Sequence, residues 1–95
     1  MNDKELADRI MALGVGYDGY KFYMCESKYF VRDWRVAGAL MEKTDGVDYD
    51  HDEYGEKSVG RIRAYKGGLV SEAYVYDSLP RAICEACVEA LETDQ

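Results

Sequence analysis

Apolar residues recur along this chain at helical spacing, then at strand spacing, then at helical spacing again. Leu6, Ile10 and Leu13, with Ala7 beside them, mark one face of a helix over about residues 3–13; Asn2 and Glu5 stand three apart as at a capped start, and Gly14 follows as a stop. Gly14, Gly16 and Gly19 make a loop into Tyr20-Lys21-Phe22-Tyr23-Met24, where aromatic enrichment and alternation predict a short strand. Asp33 is placed to cap a second helix whose Val36, Ala37, Leu40 and Met41 form one stripe closing near Lys43-Thr44-Asp45-Gly46. Gly38 inside that helix costs ~1 kcal/mol against alanine, which points to a close helix-to-sheet approach there.

From Val47 to Glu56, Val47, Tyr49 and His51 alternate against Asp48, Asp50 and Asp52, as in an edge strand or an exposed loop. The clearest local signal is a hairpin. Ser58–Tyr65 and Leu69–Tyr76 flank Lys66-Gly67-Gly68, and Gly-Gly suits a primed two-residue turn. That turn pairs Arg63 with Glu72 and Arg61 with Tyr74. One face then carries Ile62, Ala64, Leu69, Ser71, Ala73 and Val75; the other carries Arg61, Arg63, Tyr65, Val70, Glu72, Tyr74 and Tyr76. Ser78 caps a last helix with Pro80 in its first turn, running to about Glu92 with Ile83, Cys87, Ala90 and Leu91 inward and Glu85, Glu89 and Glu92 outward. The sum is an α+β fold: one layered domain over residues 1–95, three helices on a small, at least partly antiparallel sheet of three to four strands.

Composition narrows the function classes. The length of 95 residues supports one core, and 47% hydrophobic residues with a single proline leave no room for disorder or a linker. No apolar run approaches the ~20 residues of a membrane span, and the start Met1-Asn2-Asp3-Lys4-Glu5 has the wrong charge for a secretory signal, so action in the cytoplasm is expected. A net charge of −7 disfavours direct nucleic-acid binding. Three cysteines, Cys25, Cys84 and Cys87, are an odd count that fits reduced thiols better than a disulfide framework.

The segments from Tyr29 to Lys43 (YFVRDWRVAGALMEK) and from Asp77 to Leu91 (DSLPRAICEACVEAL) resemble small phage and prophage proteins grouped as the phage ABA sandwich domain. They cover about a third of the chain, and the order of elements fits that family's helix, sheet, helix layering. The resemblance implies a phage accessory protein, expressed in a bacterial host, with no established enzymatic role. It supplies no binding site. Small acidic phage proteins of this kind are similar in style to inhibitors of bacterial immunity, some of which contact CRISPR complexes while others sequester nucleotide signals.

Candidate chemistry is thin. Cys84-x-x-Cys87 with Cys25 and His51 would make a three-cysteine, one-histidine zinc set, but Cys84 and Cys87 fall inside a helix without a knuckle turn, so buried thiols are expected and no cofactor. Redox use needs a thiol at a helix N-terminus, and Cys84 lies about six residues inside. Asp48-x-Asp50-x-Asp52 begins like a calcium loop, yet Glu53 takes the glycine position and Val59 the place of the last glutamate. The letters Gly14-Val-Gly16-Tyr-Asp-Gly19 match a dinucleotide fingerprint but follow a helix instead of a strand. His51 sits among carboxylates with no nucleophile nearby in sequence, so an enzyme is not expected.

The chain's nine tyrosines and its arginines point to binding. Arg61, Arg63, Tyr65, Tyr74 and Tyr76 share one hairpin face, with Trp34 and Arg35 as further contacts from the second helix, and residues 57–66 are locally basic. Guanidinium groups suit phosphates and phenol rings suit a base, so the leading expectation is a small homo-oligomer that sequesters a nucleotide-like immune signal. The alternative is an anti-CRISPR-type inhibitor that binds a host defence protein through Asp48, Asp50, Asp52 and Glu53; a structural or assembly accessory protein is a third. If helices of the same chain cover both sheet faces, the tyrosines are packing residues instead.

Overall fold

The computed structural model describes residues 1–15, 26–54 and 57–93; the predicted strand at Tyr20–Met24 and Cys25 lie outside them. Helix α1 spans Asp3–Ala12. The Asn2 side chain accepts from the Glu5 amide at 2.8 Å and so satisfies one of the donors left open at a helix start. At the other end Gly14 takes φ 80°, its amide donates to Met11 O, and Val15 N reaches back to Ile10 O. This is a Schellman closure, and buried Val15 is its apolar contact. A single turn, α2, covers Ser27–Phe30 and places Phe30 in the core. Helix α3 spans Trp34–Lys43, with the Asp33 carboxylate accepting from Arg35 N at 2.8 Å.

Three strands follow in an antiparallel meander, β1 Gly46–Tyr54, β2 Lys57–Lys66 and β3 Leu69–Val75, in the order β1-β2-β3. Gly67 and Gly68 both take positive φ, 60° and 82°, the geometry of a primed turn that matches strand twist. The register is the one that the turn dictates: Arg61 opposite Tyr74, Arg63 opposite Glu72. The acidic segment is the edge strand, not a loop, pairing Tyr49 with Ile62 and Asp50 with Arg61.

Helix α4, Leu79–Thr93, starts where Ser78 Oγ accepts from Arg81 N at 3.3 Å. Nine of its fifteen residues are buried, including Cys84, Ala86 and Val88 beyond the expected stripe, so core surrounds it on several sides. It packs on β2 and β3 and also against α1 and α3. Small residues permit this. The core is continuous from Leu6 and Ile10 through Phe30 and Leu40 to Val88, Ile62, Ala64 and Ala73.

Ion pairs tie the ends of these helices together. Arg81 bonds Asp3 at 2.6 Å, Glu85 and the Met1 carbonyl, while Arg32 bonds Asp3 at 2.9 Å and Asp77 at 2.8 Å. Arg9 on α1 forks onto Glu92 near the end of α4. Burial opposes ionisation of Asp3, but the bonds from Arg81 and Arg32 outweigh it and hold the carboxyl below the usual range.

The α+β class is as expected, with three differences in detail. Among the described residues there are four helices, because the single turn of α2 is too short to show periodicity. The described helices share one core on one side of the sheet, whereas a helix, sheet, helix sandwich would place them on both. Gly38 is not a close-approach glycine: a Cβ built there meets nothing within 4 Å.

Candidate functional site

Alternation along each strand divides the sheet into two faces. Gly60, Ile62, Ala64, Ser71 and Ala73 turn toward the helices and are buried. Asp48 and Asp50 of β1, Arg61, Arg63 and Tyr65 of β2, and Val70, Glu72 and Tyr74 of β3 turn the other way. No described helix packs there. Tyr76, just past β3, is 83% exposed, and its ring lies 6.5 Å from that of Tyr74. The hairpin residues Arg61, Arg63, Tyr65, Tyr74 and Tyr76 therefore do come together, on a face where no described helix packs and where the first four are half-buried.

The face is cross-linked by its own charges. Its rungs read Asp48–Arg63–Glu72 and Asp50–Arg61–Tyr74 across the three strands. Arg61 Nη2 donates to Asp50 at 3.0 Å, and Arg63 Nε donates to Glu72 at 3.2 Å with Nη2 3.9 Å from Asp50. Tyr65 Oη donates to Asp48 at 2.8 Å. That bond to a carboxylate, aided by desolvation, raises the Tyr65 phenol above its ordinary value. The amide of His51 and then Arg61 lower the Asp50 carboxyl below its own.

Two surfaces that the sequence offers as rivals are thus one. Asp48 and Asp50 belong to the same face as the arginines and offset them, so Arg61 and Arg63 do not form a basic surface. Counting Asp48, Asp50 and Glu72 against Arg61 and Arg63, the described charges of this face lean negative. Asp52 and Glu53 pair opposite Val59 and Ser58 farther along β1. Trp34 and Arg35 do not join this face. They open α3 in the helix layer, where Trp34 is 57% exposed and Arg35 bonds its own cap residue Asp33 at 2.8 Å. Helix phase, not sequence proximity, decides their placement.

Sequence reasoning overlooked the role of Tyr49. Its side chain crosses the helix-side face at the β1 edge, with the hydroxyl 2.9 Å and the nearest ring carbon 3.1 Å from where a Cβ on Gly60 would stand, and the hydroxyl is 3.1 Å from His51 Nε2. A glycine within an otherwise regular strand was the available signal. Cys84 and Cys87 are fully buried, and desolvation pushes both thiols up to about 12. They are protonated at neutral pH and poor as nucleophiles or metal ligands. Among the described residues no group of three or more His, Cys, Asp and Glu is arranged to hold a metal ion, and no described helix is long and apolar enough to cross a membrane.

No family model matches the chain, and neither a curated protein nor a solved structure matches it. The resemblance to the phage proteins rests on the two quoted segments.

Proposed function

We propose that this chain is a non-enzymatic binding protein that docks a protein partner on the open face of its sheet, and that its role is to antagonise a bacterial defence machine, as the resemblance to phage accessory proteins implies. The observation that carries the reading is the ladder of half-buried Arg61, Arg63, Tyr65 and Tyr74 with the exposed Tyr76, interleaved with the exposed Asp48, Asp50 and Glu72 on a face where no described helix packs. Arginine and tyrosine supply most of the energy of protein interfaces, and an alternating charge pattern fixes register against a partner. Nucleotide sequestration keeps one point in its favour, the adjoining Tyr74 and Tyr76 rings, of which Tyr74 stands directly opposite Arg61. It is the weaker reading, because a phosphate would have to displace Asp50 and Glu72 from both guanidiniums.

The test expresses the chain in bacterial hosts carrying single defence systems and measures phage plating. Restored plating is expected in at least one host, lost in the double variant Arg63→Glu, Tyr65→Ala. Undiminished activity of that variant would refute docking on this face, and no effect in any host would refute the defence role. A thermal-shift screen of nucleotides decides the second reading: a bound nucleotide at a hundredfold excess over its dissociation constant adds about 2.7 kcal/mol of stability.

A further inference from the structure

Among the described residues the sheet in the order β1-β2-β3 has two edges, and they are defended unequally. The nine residues of β1 include Asp48, Asp50, Asp52 and Glu53, like charges that repel a second copy of the same strand. β3 carries one carboxylate, Glu72, and neither lysine nor proline, the residues that ordinarily guard an edge. Its outer surface is apolar as well: Leu69 and Val70 are exposed, and so is Tyr76 beyond its end.

The turn fixes which way the backbone points. Residues flanking a two-residue loop form a hydrogen-bonded pair, so from Lys66–Leu69 onward Leu69, Ser71, Ala73 and Val75 address β2 while Val70 and Glu72 turn their peptide groups outward. The Tyr65 carbonyl, which accepts from Asp45 N on the β1 side at 2.7 Å, fits the same alternation.

We propose that β3 pairs antiparallel with β3 of a second copy about a two-fold axis, joining two sheets into one of six strands. Cross-strand chemistry selects the register. An axis at Glu72 would set carboxylate against carboxylate. An axis at Ala73 sets Glu72 opposite the partner's Tyr74, whose phenol donates to it, and Val70 opposite the partner's Tyr76, so that two exposed apolar side chains cover each other. The pairing does not depend on what the open face binds, and it makes the faces of the two copies continuous.

Sedimentation across ~1–300 µM tests it, since mass action governs a self-association. Concentration-dependent doubling of mass is expected, with Val70→Lys and Tyr74→Glu each weakening the dimer about tenfold or more, the second by placing a glutamate against Glu72 twice. Tyr74→Lys, which supplies the opposite charge, retains it. Circular dichroism of each variant confirms that the monomer is folded. Wild type that stays monomeric throughout, a dimer indifferent to Val70→Lys and Tyr74→Glu, or one weakened equally by Tyr74→Lys and Tyr74→Glu would overturn the proposal.

Discussion

Ile62 and Arg63 are neighbours on β2 whose side chains leave opposite faces of the sheet, and alanine substitutions on each face measure which one is covered. Ile62 is 1% exposed and sits in the core shared by the strands and helices. Removing its outer carbons costs ~2–5 kcal/mol, the transfer energy plus the cavity left behind. At roughly 4–8 °C per kcal/mol for a domain of this length, a loss near ~3 kcal/mol lowers Tm by about 12–24 °C. On the other face, Tyr65→Ala removes one hydrogen bond to Asp48, worth ~0.5–1.5 kcal/mol, together with the contacts of a half-buried ring, and costs less than the loss of a fully buried core side chain. Val70→Ala, at a side chain that is 53% exposed, stays within ~0.5 kcal/mol. Thermal and urea unfolding followed by circular dichroism give all three values. If Val70→Ala and Tyr65→Ala each cost as much as Ile62→Ala, the face is covered and the docking surface does not exist.

Gly38→Ala raises stability by about 1 kcal/mol, because the helix gains propensity where a Cβ meets nothing within 4 Å; a thermal melt showing a loss would mean a close contact there. Asp3 is held below its ordinary 3.8 in the folded chain, so its contribution is complete above that value and disappears as pH falls through the lower folded value. Urea unfolding as a function of pH is therefore flatter below about pH 4 in Asp3→Asn than in wild type, and identical slopes would refute the role given to Arg81 and Arg32. For Cys84 and Cys87 the folded values near 12 exceed the ordinary 9.0, so stability is complete below pH 9 and falls as pH rises toward 12. In a Cys25→Ser background a thiol reagent reacts with both cysteines only after unfolding; fast reaction of the native protein would contradict their burial.

Where the chain's structure follows from near neighbours, the sequence is legible. Asn2, Asp33 and Ser78 each bond an amide two or three residues on, and Gly67-Gly68 sets the β2–β3 register by turn geometry alone. What depends on distant partners is not. The stripe of α4 reads as one face because its outward glutamates are conspicuous, whereas Ala82, Cys84, Ala86 and Val88 are buried by helices and strands that arrive from elsewhere in the chain. Gly38 reads as a contact because close approach is the commonest reason for glycine in a helix, and only the neighbouring atoms could say otherwise. The open face was half legible: Gly67-Gly68 registers Arg61 and Arg63 against β3, whereas Gly55-Glu56, between the paired Tyr54 and Lys57, is a weaker turn signal in the sequence.

The pairing of β1 with β2 bears on function. Read along the chain, Asp48 to Glu53 and residues 57–66 are an acidic and a basic segment, each suited to a different partner. Folded side by side, Asp50 lies 3.0 Å from Arg61 and 3.9 Å from Arg63, so none of these three presents an uncompensated charge to an approaching ligand. A partner meets instead alternating donors and acceptors at strand spacing, which favours a surface with its own mixed pattern over a compact polyanion. The guanidiniums stay useful in that setting because they are only partly committed: Arg63 spans Glu72 and Asp50 at unequal distances, and a carboxylate from a partner could exchange for the longer contact without stranding a charge. An acidic protein can in this way keep arginines at an interface, with β1 holding them in place until a partner arrives.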